Sequence, residues 1–231
     1  MTPEMAFESL LVSGDSSLAC ITKEALHKFS IEVDECADAA RACEKINARS
    51  HELVVMDWEC DPSCQLLHTI WRSPAGRKPT ILAISPGGTH VTGAHFTIGK
   101  PFEPDSITES LKSVYSRMLV DYRRTARYPV MAKVMAQDDK GRTFPVNVTD
   151  IGEGGLGIAC KQELEVGSAI LLTLPLPQTL APIHIQARVL WTRDYGAAGC
   201  CFLSMPPVDR DVLRRWLETK VQIKKPLVSV S

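Results

Sequence analysis

The chain has 231 residues, 45% of them hydrophobic and 23% charged, with 14 glycines and 15 prolines, a composition that excludes disorder and collagen-like structure. At about 150 residues per domain, the length suits two compact domains. The net charge of −1 hides an asymmetry, because residues 1–120 carry 11 basic and 16 acidic side chains while residues 121–231 carry 15 and 11.

In chain order, Ser9-Leu10-Leu11-Val12 reads as a buried strand closed by Ser13-Gly14-Asp15. Leu18, Ile21, Ala25 and Phe29 recur at helical spacing. Ile31 and Val33 suggest a second strand, and Asp38 suits the cap of a helix carrying Ala39, Ala42, Cys43 and Ile46. Leu53 to Met56 is a third strand ending at Asp57, and Thr80 to Ile84 a fourth ending at Ser85. His95 to Ile98 is a weaker fifth that leads into Lys100-Pro101-Phe102. Ser106 and Glu109 form a capping-box pattern for a helix whose apolar face is Ile107, Leu111, Val114 and Met118. Strands alternating with helices predict an α/β domain over 1–120, a doubly wound parallel sheet. Polar residues at the carboxyl ends of its strands converge on one crevice.

Asp57, Ser85 and the Gly93-Ala94 pair followed by Lys100-Pro101-Phe102 resemble a response-regulator receiver domain, over about residues 8–119. The resemblance implies a phosphoacceptor aspartate at Asp57, read by Ser85 and Lys100. It also implies two acidic residues after the first strand to hold magnesium, and these are absent, since Ser13 and Gly14 stand there with only Asp15 beyond. Magnesium wants hard oxygen ligands, which neither residue supplies as a carboxylate. Pro86-Gly87-Gly88 also stands where receivers usually carry a helix. A degenerate receiver serving packing or partner contact is therefore expected, with no resident cofactor or metal.

From Tyr128 the period changes. Val130, Ala132, Val134 and Ala136 alternate with Met131, Lys133 and Met135, Asp138 to Gly141 is a turn, and Thr143 to Val148 is a strand that Pro145 marks as an edge. Leu156 to Cys160 and Ala169 to Leu174 follow. Ile183, Ile185, Ala187, Val189 and Trp191 give the clearest strand alternation, and Ala198 to Leu203 comes after the Asp194-Tyr195-Gly196 turn. These short strands predict a small all-β barrel over 121–231. A terminal helix with Val212, Leu213, Trp216, Leu217 and Val221 on its apolar stripe closes it.

Two polar features stand apart from this architecture. Arg123-Arg124-Thr125-Ala126-Arg127 places three guanidinium groups just before the first strand, and Asp150-Ile151-Gly152-Glu153-Gly154-Gly155 is a glycine-rich turn. In this order they resemble the PilZ family, whose signature is Arg-x-x-x-Arg followed by Asp/Asn-x-Ser-x-x-Gly. Arg123 and Arg127 match the arginines, Asp150 the acidic position and Gly155 the closing glycine, while Gly152 replaces the usual serine. Tyr128-Pro129-Val130, Val189 to Trp191 and Gly199 to Phe202 add supporting matches.

The resemblance implies a barrel that binds the bacterial messenger cyclic di-GMP through Arg123, Arg124, Arg127, Asp150, Gly152 and Gly155. That ligand is a dianion with two guanines, so forked cations suit its phosphates and O6/N7 edges. A carboxylate accepts from the guanine N–H groups, and glycines allow close backbone approach. Losing the serine hydroxyl removes about 1 kcal/mol, which weakens such binding without abolishing it. A flexible arginine segment closing on the ligand would move the neighbouring domain toward an unidentified protein partner. The alternatives are a phosphorylation-dependent response regulator with a PilZ output and a PilZ adaptor that binds no nucleotide.

No run of 18 apolar residues occurs, and the opening MTPEMAFESLL lacks the regions of a signal peptide, so a cytoplasmic protein without membrane contact is expected. The eight cysteines show no Cys-x-x-Cys pair and read as mostly buried thiols. Cys60, Cys64 and His68 would share one helix face, but with no fourth ligand evident they are read as thiols beside an exposed histidine. Only 6% of residues are aromatic and the basic charges outside the arginine run are scattered, which disfavours nucleic acid. No catalytic triad, metal motif or phosphate loop is visible, so no enzyme is expected.

Overall fold

The computed structural model describes residues 5–73, 78–101, 104–220 and 223–230. Phe102 and Val221, both used above, lie outside them. The chain forms two compact units, Met1–Asp121 with Ile223–Ser231, and Tyr122–Gln222. The sequence boundary near 121 left the last residues with the barrel, whereas the observed division returns them to the first unit.

The first unit is a parallel sheet of β1 (Phe7–Val12), β2 (Ile31–Cys36), β3 (Leu53–Asp57), β4 (Thr80–Pro86) and β5 (Phe96–Lys100) in the order β2-β1-β3-β4-β5. This is the doubly wound order of receiver-like folds. The inner strands are continuous apolar runs because helices cover both faces. Leu10, Val12, Val54, Met56, Ile81 and Ala83 pack on α2 (Ala39–Ala48) and α3 (Gln65–Arg72). Across the sheet, Phe7 and Phe29 meet Tyr115 of α4 (Pro104–Thr125), with ring centroids 5.7 Å apart in each pair. Asp15 caps α1 (Ser16–Lys28) by accepting the Ser17 and Leu18 N–H groups, and Asp38 caps α2 by accepting that of Arg41.

Two local expectations change and a third holds. Ser106 is not a cap, because α4 already begins at Pro104, a residue whose fixed φ suits the first helical position. Cys60, Cys64 and His68 do not share a helix face: Cys60 closes a 3₁₀ turn, Cys64 precedes α3 in a left-handed conformation, and only His68 is within the helix. Residues 87–95 join β4 to β5 without a helix. This connection lies so close on β5 that a Cβ on Gly99 would stand 2.7 Å from the Gly88 nitrogen. Its Val91 is buried in the α2–α3 core, where it takes part of the missing helix's place.

The second unit is a closed barrel, ordered β10-β11-β8-β7-β6-β9. Its strands are β6 (Tyr128–Asp138), β7 (Thr143–Ile151), β8 (Gly155–Ala159), β9 (Ala169–Leu174), β10 (Ile183–Thr192) and β11 (Ala197–Ser204). Inward residues such as Val146, Val148, Ile158, Ile185, Ala187 and Val189 make one core, which α5 (Pro207–Lys220) completes with Leu213 and Trp216. Each buried valine, isoleucine or leucine among them contributes about 1.5–3 kcal/mol. The Trp216 indole N–H donates to the Pro177 carbonyl at 2.8 Å, and the Asp209 carboxylate accepts from the His184 amide at 2.8 Å. Pro145 does not make β7 an edge, since β7 pairs with both β6 and β8. It does lie before Asn147, where the β8 pairing begins, so its missing N–H removes nothing from that ladder.

After α5 the tail rejoins the first unit: Ile223 bridges Met5, the Lys224 amide donates to Met5 O, the Leu227 amide donates to Lys28 O, and Ser30 Oγ donates to Lys225 O at 2.8 Å. Among the described residues no helix is long and apolar enough to cross a membrane.

Two histidines of the first unit bear on its stability between about pH 7 and pH 5. The His51 ring is buried with no hydrogen-bond partner among the described residues, and burial, then the Arg49 charge, lowers its pKa. His95 Nδ1 accepts the Ile81 amide at 2.9 Å, and burial, then the Arg117 charge, lowers its pKa too. Both bind a proton less readily when folded than when unfolded, where imidazole titrates near about 6.5. Their contribution is complete above that value and is lost as pH falls. The urea midpoint of the first unit should therefore decline from about pH 7 to about pH 5, and His51→Phe should remove roughly half of the decline. An unchanged decline in that variant would assign the effect elsewhere.

Candidate functional site

Two groups of polar side chains include residues singled out from the sequence, one in each unit. In the first, β3 and β5 end beside each other's functional residues. Asp57, 3% exposed, accepts from Lys100 Nζ at 2.7 Å and from the Glu59 amide at 3.2 Å. Lys100 also pairs with Glu59, which the 3₁₀ turn Trp58–Cys60 brings back over the strand end. Burial works to lower the Lys100 pKa, but the hydrogen bonds and charges of Asp57 and Glu59 outweigh it and hold the ammonium above its ordinary value. Glu59 was not singled out from the sequence, because its role comes from Lys100 on another strand. Ser85 is fully buried and its hydroxyl donates to Thr89 O at 2.7 Å, so it serves the turn.

The donor set does not fit magnesium. Ser13 Oγ is engaged with the Asp15 backbone, and the Gly14 amide donates to Cys60 Sγ at 3.2 Å. The Asp15 carboxylate is committed to the cap of α1. Asp57 and Glu59 share Lys100, and among the described residues no three His, Cys, Asp or Glu are grouped to hold a metal.

In the second unit, Arg123 and Arg124 stand exposed in the last turn of α4, so the expected flexible segment is largely helical. The Ala126 amide continues that turn by donating to Tyr122 O at 2.8 Å. Asp150 lies on β7 opposite Gly157 of β8 and Pro129 of β6. One carboxylate oxygen accepts from Thr149 Oγ1 at 2.8 Å, and the other lies 3.9 Å from Arg127 Nε. With side chains 43% and 36% exposed, that pair contributes well under about 1 kcal/mol. The turn closes with the Gly152 amide donating to Gly155 O at 2.9 Å.

Gly155 needs its bareness for packing: a Cβ there would collide with the Cys200 carbonyl on β11. Arg127, Asp150 and Gly152 thus come together at the end of the barrel where β6 begins and β7 ends, with Arg123 and Arg124 on the helix leading in. At the opposite end, a cleft of about 610 Å³ is lined by residues that include Cys160, Lys161, Arg193 and Tyr195, but none of the arginine segment.

Residues 121–219 match the family model described as PilZ domain. The barrel is a PilZ domain. No curated protein matches the chain. Among solved structures, a CheY-like response regulator receiver domain from Methylobacillus flagellatus is 16% identical, with 49% of this chain and 99% of that one covered at a TM-score of 0.43. The response regulatory domain of mrkE from Klebsiella pneumoniae is also 16% identical, covering 49% and 98% at 0.43. The Bacillus subtilis inhibitor of motility MotI/DgrA is 15% identical, covering 41% and 49% at 0.33. The receiver-like assignment of the first unit rests on its own strand order.

In the receiver-like unit, Lys100 stands between two carboxylates, and among the described residues no group of three His, Cys, Asp or Glu could hold a metal. Incubation with acetyl phosphate and magnesium should leave its mass unchanged. Asp57→Asn should instead lower stability by about 1–2 kcal/mol, below the cost of breaking a fully buried pair because Lys100 keeps Glu59. A phosphorylated species that Asp57→Asn abolishes would overturn this.

Proposed function

We propose that the protein is a non-catalytic cytoplasmic signalling effector whose PilZ domain binds cyclic di-GMP, and whose receiver-like unit is the surface through which binding acts on a protein partner. The observation that carries this reading is the convergence of Arg127, Asp150 and the Gly152–Gly155 turn at one barrel end, with Arg123 and Arg124 exposed on the helix that leads into it. Three forked cations can divide two phosphates and a guanine edge between them, and arginine does this where lysine, a point charge, does not. The second phosphoester and base of the ligand give each arginine an anionic or acceptor partner. Asp150 offers one carboxylate to guanine N–H donors, and its Thr149 hydrogen bond fixes its direction.

The first unit supports the division of roles. Its strand-end carboxylates are committed to Lys100, which leaves ligand binding at the barrel as the input.

Calorimetry of the full chain with cyclic di-GMP should give saturable heat. A charge-assisted hydrogen bond is worth about 1.5–3 kcal/mol, so Arg123→Ala or Arg127→Ala should weaken binding by roughly tenfold to a hundredfold. No heat at high micromolar ligand would favour an adaptor that binds no nucleotide.

A further inference from the structure

The position where this chain departs from the PilZ signature has a physical reason. Gly152 does not adopt a left-handed φ, so its conformation is one that any residue accepts. What it lacks is room: a Cβ there would overlap both the Ala126 carbonyl oxygen and Arg127 Nη1, and would lie 3.2 Å from Arg127 Cζ. The backbone oxygen decides the matter, since a flexible guanidinium can swing aside but a carbonyl at the end of a helix cannot move alone. Two residues along the same turn, Gly154 has nothing within 4 Å of a Cβ.

Both ends of the arginine segment are also fastened. The Ala126 amide is held by Tyr122 O at 2.8 Å, and Tyr128 is half-buried at the start of β6. Burial raises the Tyr128 pKa.

We propose that the ligand-free barrel latches its own arginine segment onto the Asp150–Gly155 turn, and that Gly152 is the residue that permits the latch. The Ala126 carbonyl and the Arg127 guanidinium occupy the space that a serine side chain would fill, and Arg127 faces Asp150. Resting on the reading of this turn as the cyclic di-GMP site, the latch is an autoinhibitory contact, because a cyclic dinucleotide must lift Arg127 away before using Arg127 or Asp150. Replacing serine by glycine then tunes the site by adding a competitor from within the chain, besides deleting one hydroxyl.

The test uses the full chain without ligand. Trypsin cleavage after Arg127, followed by mass spectrometry, reports how often the segment opens when cleavage is slower than reclosing. Gly152→Ala adds a methyl and no hydroxyl, and should speed that cleavage roughly fivefold. Gly154→Ala, on the same turn, should leave it at the native rate. Equal rates in the two variants would overturn the latch. Should Gly152→Ala fail to fold, Asp150→Asn decides, because it removes the carboxylate that Arg127 faces: faster cleavage supports the latch and an unchanged rate overturns it.

A cyclic di-GMP titration forms the second arm. Gly152→Ala should bind about fivefold more tightly than the native chain, matching the opened fraction. Equal or weaker binding would overturn the competition. If the native chain binds no cyclic di-GMP, the ligand reading falls, and the proteolysis still decides the latch by itself.

Discussion

The end of the barrel that holds Arg127 and Asp150 depends on backbone surfaces that touch where a side chain would keep them apart. Asp150 lies across from Gly157, and its carboxylate occupies the space above that glycine, where any Cβ would strike it. Gly155 lets β11 come close enough for the Phe202 amide to donate to Gly154 O at 3.0 Å. Gly152 admits the arginine segment. Three absent side chains therefore place the only carboxylate of the turn's strand and the nearest guanidinium beside each other. Polar chemistry here is a consequence of steric permission, and the modest ion pair between Arg127 and Asp150 follows from it.

The receiver-like unit shows a related economy with charge. A site of this architecture gathers carboxylates at the ends of parallel strands, and such a gathering needs a cation. Here the cation is covalent: Lys100 reaches both Asp57 and Glu59 and is held charged by them. The acidic excess of residues 1–120 is spread along β2 and the exposed faces, where Asp34 draws Lys45 and Arg49. Burial acts to raise the Asp34 pKa, but the hydrogen bonds and charges of these two residues hold it below its usual range.

How much of this could be read from residues alone divides by distance along the chain. Strands β3, β4 and β10 were legible because their pattern is local and strong, whether a continuous apolar run or strict alternation. The cap at Asp38 was legible because its partner is three residues away, and Asp15, read only as loop, caps α1 in the same local way. The capping box at Ser106 was misread because Pro104, two residues earlier, is a better helix start. Pro145 was misread as an edge because closure of a barrel is a property of all six strands together. In the candidate site, the arginines and Asp150 stood out by type and order. The space at Gly152 did not, since it belongs to residues some 25 positions apart, and Glu59 gained meaning only from a lysine on another strand.

The tail beyond α5 makes the barrel an insertion. Its chain enters and leaves through the same unit, because Ile223, Lys224, Lys225 and Leu227 are tied back to Met5, Lys28 and Ser30. While those ties hold, an unfolded barrel is a closed loop instead of a free chain, and its lost conformational freedom favours refolding. For a permanently closed loop of about 100 residues that advantage approaches about 4.7 kcal/mol. A handful of hydrogen bonds can secure only part of it. Cutting the chain at residue 121 would sacrifice it altogether, leaving one fragment without its last bridge and the other with a tail that has nothing to bind.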